Sequence, residues 1–210
     1  MATKKNIIVG AAQVYLGPSG SDKPATTGTT SYRTTMAGAN GSTSTGVGTL
    51  VTNWREAGYT QDGLEISNDP SYTDIEVDQL LDAAKIFQDG MGVSLSTSFA
   101  EATLENLIVA WGQAASTLTS TATTKEWTID GGSLGQAPLE RGLIAIGNGP
   151  EKAGSNAYSE RTYHAFRVLS VESSSHTLAR ADATIIPVTF RALPDDNGKY
   201  GTVRDRMDVA

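Results

Sequence analysis

From Tyr72 to Trp111, two runs of alternating residues lead into one amphipathic helix, an order that commits this stretch to a helix packed on a sheet. In the first run, Thr73 to Gln79, Ile75 and Val77 alternate with Asp74, Glu76 and Asp78. Successive strand side chains point to opposite faces, so one face is apolar and the other acidic. In the second run, Met91 to Phe99, the residues Met91, Val93, Leu95, Thr97 and Phe99 share a face, and Gly92, Ser94, Ser96 and Ser98 share the other. Ser98 and Glu101 have the spacing of a capping box, which predicts that the helix starts here. Leu104, Leu107, Ile108 and Trp111 then form one apolar stripe, and Gly112 stands where a left-handed cap would end the helix. The pattern predicts a helix–sheet core of Ile75, Val77, Leu95, Phe99, Leu104, Leu107, Ile108 and Trp111.

The remaining signals are mostly β. Ile7 to Leu16 alternates and is ended by Gly17-Pro18. A short strand is expected around Leu64–Ile66, closed by the turn signal Asn68-Asp69-Pro70. Further strands are expected around Trp127, at Gly142–Ile146, Thr162–Glu172 and Thr184–Arg191, with Pro187 marking an edge or a bulge. Asp195-Asp196-Asn197-Gly198 is a turn, and residues 199–210 read as a C-terminal tail with little to bury. Between Gly17 and Asn53, 22 of 37 residues are Gly, Ser or Thr, too few apolar groups to offset the entropy of ordering. That segment is either a floppy insertion or an arm that orders against a neighbouring subunit. The expectation is one domain over residues 1–210, mainly antiparallel β with one packed α-helix and no internal repeat.

Composition narrows the chemistry. The chain has no cysteine, which excludes disulfide scaffolds, cysteine–zinc sites and thiol nucleophiles. No apolar run approaches the ~20 residues that span a bilayer, so no membrane association is expected. The first residues lack the apolar stretch of a signal peptide, and synthesis without export is expected. The net charge of −7 is unevenly placed. Residues 56–89 hold nine acids and one base, Lys85, a local charge of −8 that argues against phosphate binding there.

No nucleotide-binding loop, nucleophile elbow or histidine–glutamate zinc motif is present. His164 and His176 are isolated, and His164 reads as a packed or surface residue. Asp74, Glu76 and Asp78 are spaced about 7 Å apart along a strand, close enough for two carboxylates to cut a glycosidic bond. They lack the aromatic platforms of a sugar cleft and the wrapping loop of a calcium site. No catalytic, cofactor-binding or metal-binding residue is expected, and the arginines of the C-terminal half are interleaved with acids rather than gathered for nucleic-acid recognition.

Four segments together resemble a known family: GYTQDGLEIS at Gly58–Ser67, YTDIEVDQLLD at Tyr72–Asp82, VSLSTSFAEATLENL at Val93–Leu107 and IPVTFRALPD at Ile186–Asp195. In strand and helix order they are similar to the major tail tube proteins of long-tailed, siphovirus-type bacteriophages. The resemblance covers residues 56–112 well and the C-terminal strands moderately. It implies a β-sandwich or split-barrel subunit with one flanking helix, the tail-tube fold. It also implies a non-enzymatic virion protein made in the bacterial host cytoplasm. Its subunits would form hexameric rings that stack into a hollow tube for DNA delivery. Implied partners are further copies of the chain and the tape-measure, tail-terminator and distal tail proteins, with double-stranded DNA passing unbound. Asp74, Glu76 and Asp78, with Ser94 and Ser96, are then expected to face the channel, the alternative being outer solvent. A tube subunit of a contractile tail or a related secretion apparatus is the second reading. A carbohydrate-active β-sandwich enzyme is a more distant third.

Overall fold

The computed structural model describes residue 8 and residues 10–20, 54–80, 82–151 and 158–206. Most of the Gly/Ser/Thr-rich segment, residues 21–53, and the last four residues of the C-terminal tail lie outside the described residues. The described chain is mainly β: β1 (Gln13–Pro18), β2 (Arg55–Glu56), β3 (Thr60–Ile75), β4 (Lys85–Phe99), α1 (Leu104–Ala110), β5 (Leu118–Ser120), β6 (Lys125–Trp127), β7 (Arg141–Glu151), β8 (Tyr158–Ser170), β9 (Ile186–Leu193) and β10 (Gly201–Arg206). Every strand pairing is antiparallel.

One large sheet runs β2-β1-β7-β8-β9-β4-β3, and a small β5–β6 hairpin stands apart from it. Strands β9 and β10 share one edge of β8: β9 takes Arg167–Ser170 and β10 takes Glu160–Ala165. The sheet curls around a cluster that includes Val14, Leu16, Leu95, Phe99, Val109, Leu143, Val168 and Phe190, which draws on β1, β4, α1, β7, β8 and β9. Full burial of each large side chain contributes roughly 1.5–3 kcal/mol. On the other side of β7, Tyr15, Trp54, Ile144 and Ile146 form a second cluster. Leu143 to Ile146 are therefore buried consecutively, because both faces of this strand are covered. His164 is a packed histidine there, with its ring 5.9 Å from that of Trp54 and 5.0 Å from that of Phe166.

The structure corrects several local expectations. The strand expected at Thr73–Gln79 is the end of the longer β3, which stops at Ile75 and leaves Glu76 to Leu80 in a turn. Pro70 does not end a strand. It sits inside β3, tolerated because β3 is the outermost strand of the sheet and proline costs only one donor there. The helix is capped by Thr103, whose hydroxyl accepts the Asn106 N–H at 3.3 Å, and not by Ser98, which belongs to β4. Its end is as expected. Gly112 has φ of +67°, and the N–H groups of Gly112 and Gln113 reach the carbonyls of Val109 and Ile108 at 3.1 and 2.9 Å. Within the expected tail, Gly201–Arg206 forms β10, held by backbone pairing with β8 and by the Arg161–Asp205 ion pair.

The expected helix–sheet core is realised in part. Leu95, Phe99 and Ile108 are buried, and Leu107 packs on the core from a half-buried position. Leu104 is only half-buried. Trp111 is 42% exposed and packs its ring edge-on to Trp127 at 5.4 Å. Ile75 and Val77 do not reach the helix and are 43% and 39% exposed. The helix lies against β9, so the residues that face inward are Asn106, Ile108, Val109 and Ala110.

Candidate functional site: a projecting hairpin arm

Strands β3 and β4 form a hairpin of 16 and 15 residues, and only its base is supported. Strand β9 pairs with Val93–Phe99 of β4 and goes no further. Beyond that point Asp69–Ile75 and Lys85–Gly92 pair only with each other. At about 3.3 Å per residue this arm extends some 20–25 Å past the body. Among the described residues, no strand pairs with the outer edge of β3.

The base is held firmly. Asn106, fully buried on α1, donates from Nδ2 to the carbonyls of Ala57 (2.8 Å) and Glu101 (2.9 Å). These flank the two ends of the hairpin. The Glu101 carboxylate accepts the Tyr59 N–H at 3.0 Å, and the Ala100 N–H donates to the Tyr59 carbonyl at 2.9 Å. Gly58, at φ +81°, leaves the space that the Glu101 carboxylate fills. Where the arm leaves the sheet, the Tyr200 hydroxyl donates to the Met91 carbonyl at 2.6 Å.

Two irregularities set the arm's shape. Near the base, Asp62 and Gly63 are extra residues in β3, both with positive φ (63° and 77°). Farther out, Ser71 pairs with Gly90 but Tyr72 with Gln88, so Asp89 is the extra residue. Its carboxylate closes the bulge by accepting from Ser71 Oγ (2.5 Å) and Thr73 Oγ1 (2.8 Å). Those hydrogen bonds, Ser71's first, hold the Asp89 carboxyl below the usual carboxylate range.

The register assigns the faces. Ile66 lies opposite Leu95, Pro70 opposite Met91, Tyr72 opposite Gln88 and Asp74 opposite Ile86. The face that is core at Leu95 runs on after the body has ended as a mixed face, with Pro70, Met91, Tyr72 and Ile86 standing among Asn68, Gln88 and Asp74. Leu95 is 3% exposed, Ile66 40%, Met91 43%, Tyr72 60% and Ile86 61%. The opposite face carries Glu65 and Ser96, Ser67 and Ser94, and Asp69 and Gly92 as pairs, and beyond the bulge Thr73 with Phe87 and Ile75 with Lys85. The Ser67 and Ser94 hydroxyls lie 2.6 Å apart. Thr189 and Arg191 of β9 pair with Ser96 and Ser94 and extend this polar surface.

The five residues expected on one wet face are thus not together. Ser94 and Ser96 lie on the polar face. Strand alternation puts Asp74 on the other one, beside Ile86, while Glu76 and Asp78 lie in the turn. The acids that do accompany Ser94 and Ser96 are Glu65 and Asp69. Alternation within GLEIS and the following Asn-Asp would have found them had Pro70 not been read as a strand end.

Around the body, ion pairs pin loops and strands. Glu105 meets Lys125 at 2.5 Å, Arg167 meets Glu140 at 2.6 Å and Arg161 meets Asp205 at 2.5 Å. Each partner's hydrogen bond lowers the carboxyl pKa of Glu105, Glu140 and Asp205. Burial, and then the positive charge of Arg55, pushes the Arg141 guanidinium down to about 10. Its Nη2 donates to the Gln113 carbonyl just past the helix. These contacts are structural: they fix α1 and the sheet from which the arm projects. Among the described residues, no group of His, Asp and Glu is arranged to hold a metal ion, and no helix is long and apolar enough to cross a membrane.

No protein-family model matches the chain, and no curated protein matches it.

Proposed function

We propose that this chain is the structural subunit of a hollow tube, the tail tube of a long-tailed bacteriophage, through which DNA is delivered to the host cell. The observation that carries the reading is the arm: a projecting hairpin that holds Ile66, Tyr72, Ile75, Ile86, Phe87 and Met91 exposed in solvent. Exposed apolar side chains gathered on a projecting hairpin are a liability in a monomer and an asset in a polymer. The outer edge of β3, without a strand partner among the described residues, fits the same reading. Pairing of such edges around a ring removes them by closure. Contacts between unlike surfaces of stacked rings do not close and so generate a filament. In this reading the curled sheet is a split barrel with α1 on its flank, as in the family that the sequence resembles.

The channel wall in this account is the polar face of the hairpin: Glu65, Ser67, Asp69, Ser94 and Ser96. Duplex DNA carries one charge per ~1.7 Å, so basic side chains would grip it while small hydroxyls and carboxylates let it slide. Arg191 lies on the same sheet face beside Ser94, and the acids must outweigh it. The subunit would be made in the host cytoplasm and reside in the virion, with tape-measure, tail-terminator and distal tail proteins at the ends of the tube.

The test is electron microscopy of the purified full chain. Rings or hollow tubes of order 100 Å across, the scale expected for compact subunits of this size set in a ring, support the reading. A monodisperse monomer at high concentration overturns it.

A further inference from the structure

We infer that residues 4–9 add to the sheet as a strand along the outer edge of β3 of the same chain. The contact lies within one subunit and stands or falls apart from the tube reading.

The two ends of the curled sheet approach each other at a slit. Ile8 and Gly10–Ala12, just upstream of β1, line one side of a cleft of about 350 Å³, and Asp62–Leu64 of β3 line the other. Among the described residues no strand pairing crosses it. Gly10 bends the chain here at φ +142°, and a Cβ at that position would stand 2.8 Å from Nδ2 of Asn148 on β7. Five antiparallel steps lead from β1 through β7, β8, β9 and β4 to β3, so β3 runs antiparallel to β1. Followed upstream from Ile8, the chain is therefore aimed along β3 toward the arm. At about 3.3 Å per residue, the reach from Ile8 back to Lys4 matches that from Leu64 to Asn68.

The chemistry of the edge selects the same occupant. Residues 60–75 hold Asp62, Glu65, Asp69 and Asp74 and no base. A second β3 laid on this edge would set carboxylate against carboxylate, which weakens strand pairing. Residues 1–12 hold Lys4 and Lys5 and no acid. Adjacent strand residues point to opposite faces, so in any register one of the two lysines shares the face of Glu65 and Asp69. Ile7, Ile8 and Val9 are β-branched and suit a strand. The pairing stops before Pro70, which has no N–H to give. The added strand becomes the edge of the sheet along Leu64–Asp69, and the arm beyond keeps its own edge.

The absence of cysteine makes the test clean. Asn6→Cys and Asn68→Cys, the second at an exposed position, are combined in one chain and treated with a short bis-maleimide at low protein concentration. The expected product is an internally linked monomer, and adding Lys4→Glu and Lys5→Glu should lower its yield several-fold. In the unmodified chain, amides from Lys4 to Ile8 should exchange at least about tenfold more slowly than in an isolated peptide of that sequence. A linked product without this protection shows a tethered tail and overturns the pairing. An undiminished yield after charge reversal overturns the lysines as what selects the edge. A dimer from the two single variants mixed, with no internal link in the double variant, shows a strand given by a second copy and overturns the assignment to the same chain. No product in either format overturns the contact outright.

Discussion

Replacing Asn106 with alanine tests how the arm is held. Asn106 is fully buried, and its Nδ2 is shared by two carbonyl oxygens, those of Ala57 and Glu101. Both partners are acceptors, so the amide's orientation is forced: the NH2 must face them. Its Oδ1 is buried without a partner, a small cost the wild type already bears. Alanine removes two hydrogen bonds worth about 1 kcal/mol each net, and strands acceptors at a cost of about 1–3 kcal/mol. Relief of the unpartnered Oδ1 offsets about 1 kcal/mol of this. The expected loss is about 2–4 kcal/mol. For a chain of this size each kcal/mol moves Tm by about 2–4 °C, so Tm should fall by about 4–16 °C. Calorimetry on the wild type and the variant measures this, and amide exchange should show faster opening at Tyr59, Ala100 and Leu107, the donors around the base. A Tm within 2 °C of the wild type, with unchanged exchange, would refute the clamp.

Other expectations follow from the same geometry. Tyr72→Ser with Ile86→Ser should leave thermal stability within about 0.5 kcal/mol, because both side chains are exposed in the subunit, yet should abolish assembly seen by light scattering. Gly112→Ala forces a side chain into φ +67° and should cost about 1–2 kcal/mol in chemical denaturation, since only the helix end is strained. Arg161 depresses the Asp205 pKa, so the pair's contribution is complete above the ordinary carboxylate range and is lost as pH falls through the lowered folded value. The Tm difference between wild type and Asp205→Asn should therefore be constant from about pH 5 upward and shrink toward zero below about pH 4. A difference that grows on acidification would contradict the assignment.

The β-rich, antiparallel character, the Met91–Phe99 part of β4 and the Gly112 stop were legible because each depends on neighbours in sequence. What was not legible depended on partners far along the chain. Ser98 and Glu101 satisfy a capping-box pattern, but β3 and β9 claim Ser98 for the ladder and the Tyr59 N–H claims Glu101. Alternation fixes which face a residue shares, not whether a body lies beneath it, so Ile75 and Val77 read as core and stand in solvent. The bulge at Asp89 shifts the register of the arm, which periodicity alone does not reveal. Gly201–Arg206 has almost nothing apolar to bury, and its order comes from pairing with β8 that no local signal announces. Ser94 and Ser96 do share one sheet face, as alternation implies, but the acids beside them there are Glu65 and Asp69, not Asp74, Glu76 and Asp78.

The central claim is that the chain polymerises through its arm into a hollow tube. Its most direct test is electron microscopy of the full chain beside a variant in which residues 69–92 are replaced by a short glycine turn, both at equal concentration in the same buffer. Circular dichroism first confirms that the shortened chain keeps its β signal, as expected because the body's pairings from Val93 to Phe99 remain. The account predicts rings or hollow tubes for the full chain and dispersed single subunits for the variant. Identical tubes from both, or none from either at any concentration, would contradict it.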